Sequence, residues 1–111
     1  MNSRQTLKLN KEFRRLYYRG KCISCRTVVV YMQKNRLGYC RLGLTCGKTV
    51  GKAVVRNRAK RLMRESYRTL LPKIRGGYDI VIVARPRING KKCDEVLKDV
   101  KYAFSKLDMI V

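Results

Sequence analysis

The sequence contains no histidine, no tryptophan and very little acid, with only 7 Asp or Glu among its 111 residues. Histidine and carboxylate side chains are the groups that most often act as general acids and bases in enzymes. A hydrolase that breaks bonds with its own side chains would have almost none of these groups available. The composition therefore argues against a catalytic site made by this chain alone.

Long hydrophobic runs are missing as well. The strongly apolar run Ile80 to Ala84 is far shorter than the roughly 20 residues that a helix needs to cross a bilayer. The basic N-terminus, from Met1 to Lys11, is not followed by the hydrophobic segment of a secretory signal. We therefore expect a cytoplasmic protein with no membrane partner.

The cysteines follow no recognisable disulfide or metal pattern. There are 5, an odd number, and without a secretory signal they are expected to stay reduced. Cys22, Cys25, Cys40 and Cys46 could be combined into a four-thiolate zinc site, but the second pair lacks the C-x-x-C spacing. A strand between Cys40 and Cys46 would also hold their backbones roughly 20 Å apart, at ~3.3 Å per residue. We expect no metal site on the protein.

Positive charge is what the sequence has in excess. Lys and Arg number 28, and the formal net charge is +21. Such a chain repels itself in the folded state unless a polyanion neutralises it, so nucleic acid is the expected partner. The length suits one domain, and 45% hydrophobic residues are enough for one core. We predict a single RNA-binding domain over residues 1–111, with a basic tail over 1–9 and no protein partner.

The spacing of apolar residues predicts three helices and three strands. Asn10 is the expected N-cap of a first helix that Gly20 ends, and Pro72 ends a long second helix. The first two strands are expected to be antiparallel, and the third, an almost unbroken apolar run, is expected to be central. The result is an α+β domain of order αββαβα, with a small mixed sheet packed by helices. Its elements are expected at 10–20, 27–32, 39–46, 50–71, 78–84 and 94–107.

Gly47-Lys48-Thr49 lies between a predicted strand and a predicted helix, which is the setting of a phosphate-binding P-loop. A P-loop also needs a glycine five residues before its Gly-Lys-Thr glycine, and that position is Leu42. No later strand ends in an acid that could hold magnesium. Nucleotide hydrolysis is therefore disfavoured.

The most specific motif is the basic segment from Gly51 to Glu65. Between Lys52 and Glu65 there are six Lys or Arg residues and one acid, so few cations have a partner of opposite charge at i, i+4. Most of them are arginine, whose planar fork suits phosphate, and Asn57 could hydrogen-bond to RNA. An ordinary solvated helix face is the alternative. We favour RNA contact.

These residues carry a resemblance to a known family. The run Gly-Lys-Ala-Val-Val-Arg-Asn-Arg-Ala-Lys-Arg-Leu-Met-Arg, residues 51–64, resembles the signature of the bacterial ribonuclease P protein subunit. The similarity covers nearly the whole chain, from a first helix with Phe13 and Tyr17 to the strand Tyr78–Ala84. Tyr17 departs from the family pattern, which often has phenylalanine at that position.

The resemblance implies a ribonucleoprotein in which a catalytic RNA with bound Mg²⁺ removes the 5′ leader from precursor tRNA, with this chain as the protein cofactor. The metal ligands would be RNA phosphates, which agrees with the acid-poor composition. The protein alone would hold no cofactor. For the fold, the resemblance implies a left-handed βαβ crossover, an exception to the usual right-handed rule.

The resemblance also implies two RNA-binding surfaces. A cleft between the first helix and the sheet would hold the leader through Phe13, Tyr17 and Tyr31, whose rings can stack on any base. Core packing is the alternative for Phe13 and Tyr17, whose i, i+4 spacing is common in packed helices. The long helix would bind the catalytic RNA, and its candidate residues are Lys52, Arg56, Asn57, Arg58, Lys60, Arg61, Arg64 and Arg68.

Two other functions compete with this interpretation. A ribosomal-protein-like structural RNA binder without a catalytic role would have the same size and charge. A DNA-binding helix would usually need a partner helix or a dimer, and the strands on both sides of the basic helix argue against it.

Overall fold

Three helices and four strands make up the fold in the computed structural model, which describes residues 5–110. The first four residues of the predicted basic tail lie outside the described residues. The elements in chain order are α1 (Asn10–Arg19), β1 (Lys21–Ser24), β2 (Val28–Lys34), β3 (Arg41–Thr45), α2 (Ala53–Leu70), β4 (Tyr78–Ala84) and α3 (Cys93–Lys106). Short 3₁₀ turns at Leu71–Lys73 and Pro86–Ile88 follow α2 and β4.

The α+β class and the mixed sheet are confirmed, but the element order is αβββαβα instead of the predicted αββαβα. The element that the sequence did not predict is β1, which pairs antiparallel with β2 so that Ile23 lies opposite Val30. β1 has only four residues, mostly exposed, and its sequence Lys-Cys-Ile-Ser has no strong alternation. A short edge strand of this kind leaves almost no hydrophobic pattern in the sequence.

The sheet has the strand order β1-β2-β4-β3, so the central position predicted for β4 is confirmed. β4 pairs antiparallel with β2 and parallel with β3. The first two predicted strands, β2 and β3, are therefore not hydrogen-bonded neighbours, because β4 inserts between them. The unit β3-α2-β4 is a βαβ crossover between adjacent parallel strands, and its left hand stays a prediction from the family resemblance.

The sheet is covered by helices on both faces. On one face, β2 and β4 contribute Val30 and Ile82 to the main core, which α2 and α3 complete. On the other face, Val81 packs with Leu16 of α1 and with Leu7. Because β4 is buried from both sides, its sequence is apolar except for Asp79.

The ends of α1 follow from two local features. The predicted N-cap, Asn10, is instead the first helical residue, because the Glu12 carboxylate accepts hydrogen bonds from the backbone N–H of Leu9 at 3.1 Å and of Lys8 at 3.3 Å. The predicted stop at Gly20 is confirmed. A Cβ there would lie 2.6 Å from the Leu16 carbonyl oxygen, so only glycine fits this close approach.

The long helix begins at Ala53, three residues later than predicted, because Val50 is buried in the preceding turn. One side of the helix is buried against the sheet and α3, and its buried residues are Ala59, Leu62, Met63, Ser66, Tyr67 and Leu70. Neither this helix nor any other within residues 5–110 is long and apolar enough to cross a membrane.

Candidate nucleic-acid interface

A cleft runs between α1, the edge strand β3 and α2. It consists of two adjoining cavities of about 500 Å³ each, which share Phe13, Leu44 and Lys60 as lining residues. Three elements therefore meet at one concave surface: an aromatic side of α1, the rim of the sheet and a basic side of α2.

Phe13 lies directly on β3 because Gly43 has no side chain. A Cβ at Gly43 would lie 2.6 Å from two ring carbons of Phe13, which is far inside van der Waals contact. The ring is half-buried, and it packs on the small cluster formed by Leu7, Leu16 and Val81. Phe13 thus serves both as a core residue and as a wall of the cleft, so the packing alternative is correct in part.

Tyr17 and Tyr31 form an aromatic pair beside the cleft. Their ring centroids are 4.9 Å apart in an edge-to-face arrangement, and the Tyr17 hydroxyl is 3.1 Å from the Thr45 Oγ1 atom. Tyr17 is 41% exposed and lines the cleft, whereas Tyr31 lies next to it on β2 and lines neither cavity. Burial, the Cys22 thiol and Tyr17 together raise the pKa of Tyr31, so its phenol is neutral at physiological pH.

α2 presents a row of cations to the cleft. Lys60, Arg64 and Arg68, spaced at i, i+4 and i+8, line the cavity against which Phe13 packs. Cys46 lines the same cleft near Lys60 and Arg56. Burial raises the pKa of the Cys46 thiol although both cations act to lower it, so this wall stays uncharged next to the cations. The cleft therefore offers aromatic rings on one side and positive charge on the other.

The other predicted residues of the long helix do not share one orientation. Lys52, which precedes α2, and Asn57 and Arg61 within it are exposed. The Arg58 guanidinium donates a 2.8 Å hydrogen bond to the Lys91 carbonyl oxygen, which ties α2 to the loop before α3. Arg56 is half-buried, and its Nε atom has no hydrogen-bond partner among residues 5–110. The predicted RNA-binding residues of the long helix are thus divided between the cleft and the outer surface of α2.

An ion-pair network fixes α1 on the sheet. Arg41 of β3 contacts Glu12 at 2.7 Å and Asp79 of β4 at 2.7 Å, and Asn35 donates a 2.9 Å hydrogen bond to Asp79. Burial acts to raise the pKa of Glu12, but the N–H groups of Leu9 and Lys8 and the Arg41 guanidinium outweigh it, so the pKa lies below its usual value. The network ties α1 to β3 and β4 beside the cleft.

The sequence did not identify several residues of this site. Arg14 and Thr45 line one cavity of the cleft, and Leu7 lines the other. The Leu7 N–H donates a 3.0 Å hydrogen bond to the Leu42 carbonyl oxygen, which holds Leu7 beside β3. No periodic signal marks them, because they come together only when α1 crosses the sheet. Within the described range, no group of three Cys, Asp or Glu side chains could hold a metal ion. We therefore derive no chemical step through a metal bound to this chain.

Known proteins resemble this chain over nearly its whole length. The family model described as Ribonuclease P matches residues 1–108. The chain is 40% identical over 107 residues to the ribonuclease P protein component of Clostridium acetobutylicum, covering 95% of this chain and 90% of the relative. It is 47% identical over 102 residues to the corresponding component of Clostridium botulinum strain Loch Maree, covering 91% of this chain and 88% of that one.

Solved structures share the fold. The RNase P protein of Staphylococcus aureus superposes with a TM-score of 0.86 at 27% identity, covering 96% of this chain and 98% of that chain. The RNase P protein of Thermotoga maritima superposes with a TM-score of 0.79 at 30% identity, covering 87% and 92%. Sequence, fold and the basic helix beside an aromatic cleft lead to the same result, and the chain belongs to the ribonuclease P protein family.

Proposed function

We propose that this chain, as a single RNA-binding domain over residues 1–111, binds the catalytic RNA of ribonuclease P through α2 and holds the 5′ leader of precursor tRNA in the cleft. The RNA cleaves the phosphodiester bond, with Mg²⁺ held by its own phosphates. The protein contributes affinity and alignment, because a leader held in the cleft brings the scissile bond next to the bound RNA. The chain has no histidine and only 7 Asp or Glu among its 111 residues, so it offers few general bases for this step. Its described residues include no group of three metal-binding side chains.

One observation carries the proposal: Phe13 and Tyr17 face Lys60, Arg64 and Arg68 across a single cleft. A leader of variable sequence has a phosphate at every position and a π-face on every base. Rings and cations satisfy both features without reading the sequence. The exposed cations of α2 that lie outside the cleft bind a second, larger polyanion, the catalytic RNA.

Reconstitution tests the assignment. We expect the protein, added to a bacterial ribonuclease P RNA at low Mg²⁺, to restore 5′ processing of precursor tRNA, because its cations replace part of the counterions that the RNA otherwise needs. A chain that stimulates none of several bacterial ribonuclease P RNAs would contradict the proposal and favour a structural RNA binder. Processing by the protein alone would contradict the assignment of catalysis to the RNA.

The leader site is tested by removing the tyrosine pair beside the cleft, of which Tyr17 is exposed and Tyr31 is partly buried. In the holoenzyme, the double variant Tyr17→Ala, Tyr31→Ala should bind precursor tRNA about tenfold or more weakly while binding mature tRNA almost unchanged, because stacking is typically worth roughly 1 to 3 kcal/mol per base. Tyr17→Phe keeps the ring and should retain most of the affinity. Tyr102→Ala removes an exposed tyrosine from α3 and is the matched control. Equal losses for precursor and mature tRNA would exclude the cleft as the leader site.

A further inference from the structure

The side of α1 that faces away from the sheet carries an exposed aromatic ring. Tyr18 is 91% exposed, whereas Leu16, on the opposite side of the helix, is 1% exposed. At ~100° per residue, Lys11, Arg14 and Arg15 fall on the same side as Tyr18. This outer face of α1 therefore places three cations around a ring that contributes nothing to the core.

A second groove borders α1 on the side away from the cleft. Two cavities of about 380 and 430 Å³ share Arg19, Gln33 and Lys34. The acids that line the groove are Asp79, which Arg41 already pairs, and Asp108. The cations in excess are Arg15, Arg19, Lys21, Lys34 and Arg36, and none of them forms an ion pair within residues 5–110.

The outer face connects the cleft to this groove. Arg14 lines the cleft and Arg15 lines the groove. Around the helix, the order from one to the other is Tyr17, Arg14, Tyr18, Arg15 and Arg19. A strand that leaves the cleft across α1 meets a cation, a ring and two more cations in turn. The distance is about one helix diameter, ~10–12 Å, which a few nucleotides span.

We infer that the outer face of α1 and the groove beside it bind the distal part of the leader, with one unpaired base stacked on Tyr18. The inference rests on the proposed binding of the proximal leader in the cleft. An exposed tyrosine flanked by arginines at i−4, i−3 and i+1 suits single-stranded RNA, since the ring takes a base and the guanidinium groups take the neighbouring phosphates. Duplex RNA, whose bases are already stacked, gains nothing from the ring.

Leaders of two lengths test this path. Holoenzyme is measured with precursor tRNA carrying a leader of about 5 or about 15 nucleotides, lengths that fill the cleft alone or extend past it. Tyr18→Ala should weaken binding of the long leader about tenfold and of the short leader less than about twofold. Tyr18→Trp should retain the long-leader affinity. Arg15→Gln combined with Arg19→Gln should lower the salt dependence of long-leader binding by about 0.7 for each phosphate that the variant no longer neutralises.

The controls separate this inference from its alternatives. Tyr102→Ala removes an exposed ring from α3, and Lys98→Gln combined with Lys101→Gln removes two positive charges from it; both variants should leave the binding of both leaders unaffected. Equal effects of Tyr18→Ala on both leaders, or none on either, would overturn the inference. A weaker affinity of Tyr18→Ala for the catalytic RNA without substrate would assign the surface to that RNA and also overturn it. Failure of the cleft proposal shows separately, as equal binding of short-leader precursor and mature tRNA by the unaltered protein.

Discussion

α2 and α3 lie side by side on the same face of the sheet, yet they differ completely in charge. α2 carries six Lys or Arg residues and one acid, whereas α3 carries three Lys and three acids. Both helices bury a comparable apolar face, including Met63 and Tyr67 on α2 and Val100 and Phe104 on α3. The requirements of the core are therefore alike, and they do not explain the difference between the outer faces.

The acids of α3 form hydrogen bonds that stabilise the fold, whereas the charges of α2 mostly do not. On α3, Asp99 accepts hydrogen bonds from Thr27, and Glu95 accepts one from the backbone N–H of Lys92 at the start of the helix. On α2, Glu65 contacts Arg68 at the surface at 3.2 Å, and the remaining cations repel one another. Such repulsion destabilises the isolated protein, so we attribute the excess charge of α2 to the proposed RNA partner and not to folding.

The largest effect is expected from removing charge on α2. Lys52→Gln, Arg58→Gln and Arg61→Gln, which change exposed cations outside the cleft, should together weaken binding to ribonuclease P RNA about a hundredfold at physiological salt. The slope of log K against log salt concentration should become shallower by up to about 0.9 for each phosphate that is no longer neutralised. The melting temperature should change little, because the fall in self-repulsion offsets the lost hydrogen bond from Arg58 to Lys91. Filter binding over a salt series measures the affinity and the slope, and circular dichroism measures the melting temperature.

The same charge change on α3 is the matched control. Lys98→Gln, Lys101→Gln and Lys106→Gln also remove three positive charges, and we expect the affinity to change less than about threefold. Comparable losses in the two triple variants would mean that net charge, and not its placement on α2, determines the affinity. The difference in charge between α2 and α3 would then not explain where the protein binds RNA.

A smaller effect, in stability, is expected on α3. Asp99→Ala removes the acceptor for the Thr27 Oγ1 atom at 2.6 Å and for the Thr27 N–H at 3.0 Å, and it leaves both donors of a buried residue without this partner. We expect the free energy of unfolding in urea to fall by about 2 kcal/mol. Affinity for RNA should stay the same or increase slightly, since a negative charge is lost.

Asp94 provides the control on the same helix. It is exposed, so Asp94→Ala removes the same charge and should cost less than about 1 kcal/mol. If Asp94→Ala destabilises the protein as much as Asp99→Ala, the acids of α3 act through helix charge and not through the bond to Thr27.

The sequence predicted those parts of the fold that have a strong local pattern. α2, α3 and β4 were located to within a few residues, because each buries one long face or both faces and so repeats apolar residues in a regular way. β1 and the pairing of β2 with β4 were not predicted. The first is too short to show a pattern, and the second joins strands separated by the whole of β3 and α2.

The candidate site was predicted in composition but not in arrangement. The family resemblance implied Phe13 and Tyr17, and charge identified the cations of α2. That Lys60 faces Phe13 depends on how α1 crosses β3, and that crossing depends on Gly43, whose missing side chain admits the ring. Contacts of this kind are set by tertiary packing, which no local window of sequence contains.

The smallest effect is expected from Glu12, the only acid of α1, which extends the comparison to the third helix. Glu12→Gln removes the ion pair with Arg41 and weakens the capping of the helix, so the free energy of unfolding should fall by about 1 kcal/mol at neutral pH. The folded protein lowers the pKa of Glu12 below its ordinary value of 4.5. The stabilisation is therefore complete above that ordinary value and is lost as the pH falls through the lowered pKa.

Urea unfolding of both proteins between pH 7 and pH 3 measures this contribution. The difference between the unaltered protein and Glu12→Gln should stay constant down to about pH 5 and then shrink as the carboxylate takes up its proton. A difference that is independent of pH would show that the shape of the side chain matters and its charge does not. In that case the acids of α1 and α3 could not be grouped together as charges kept for the fold, and only the cations of α2 would remain distinct.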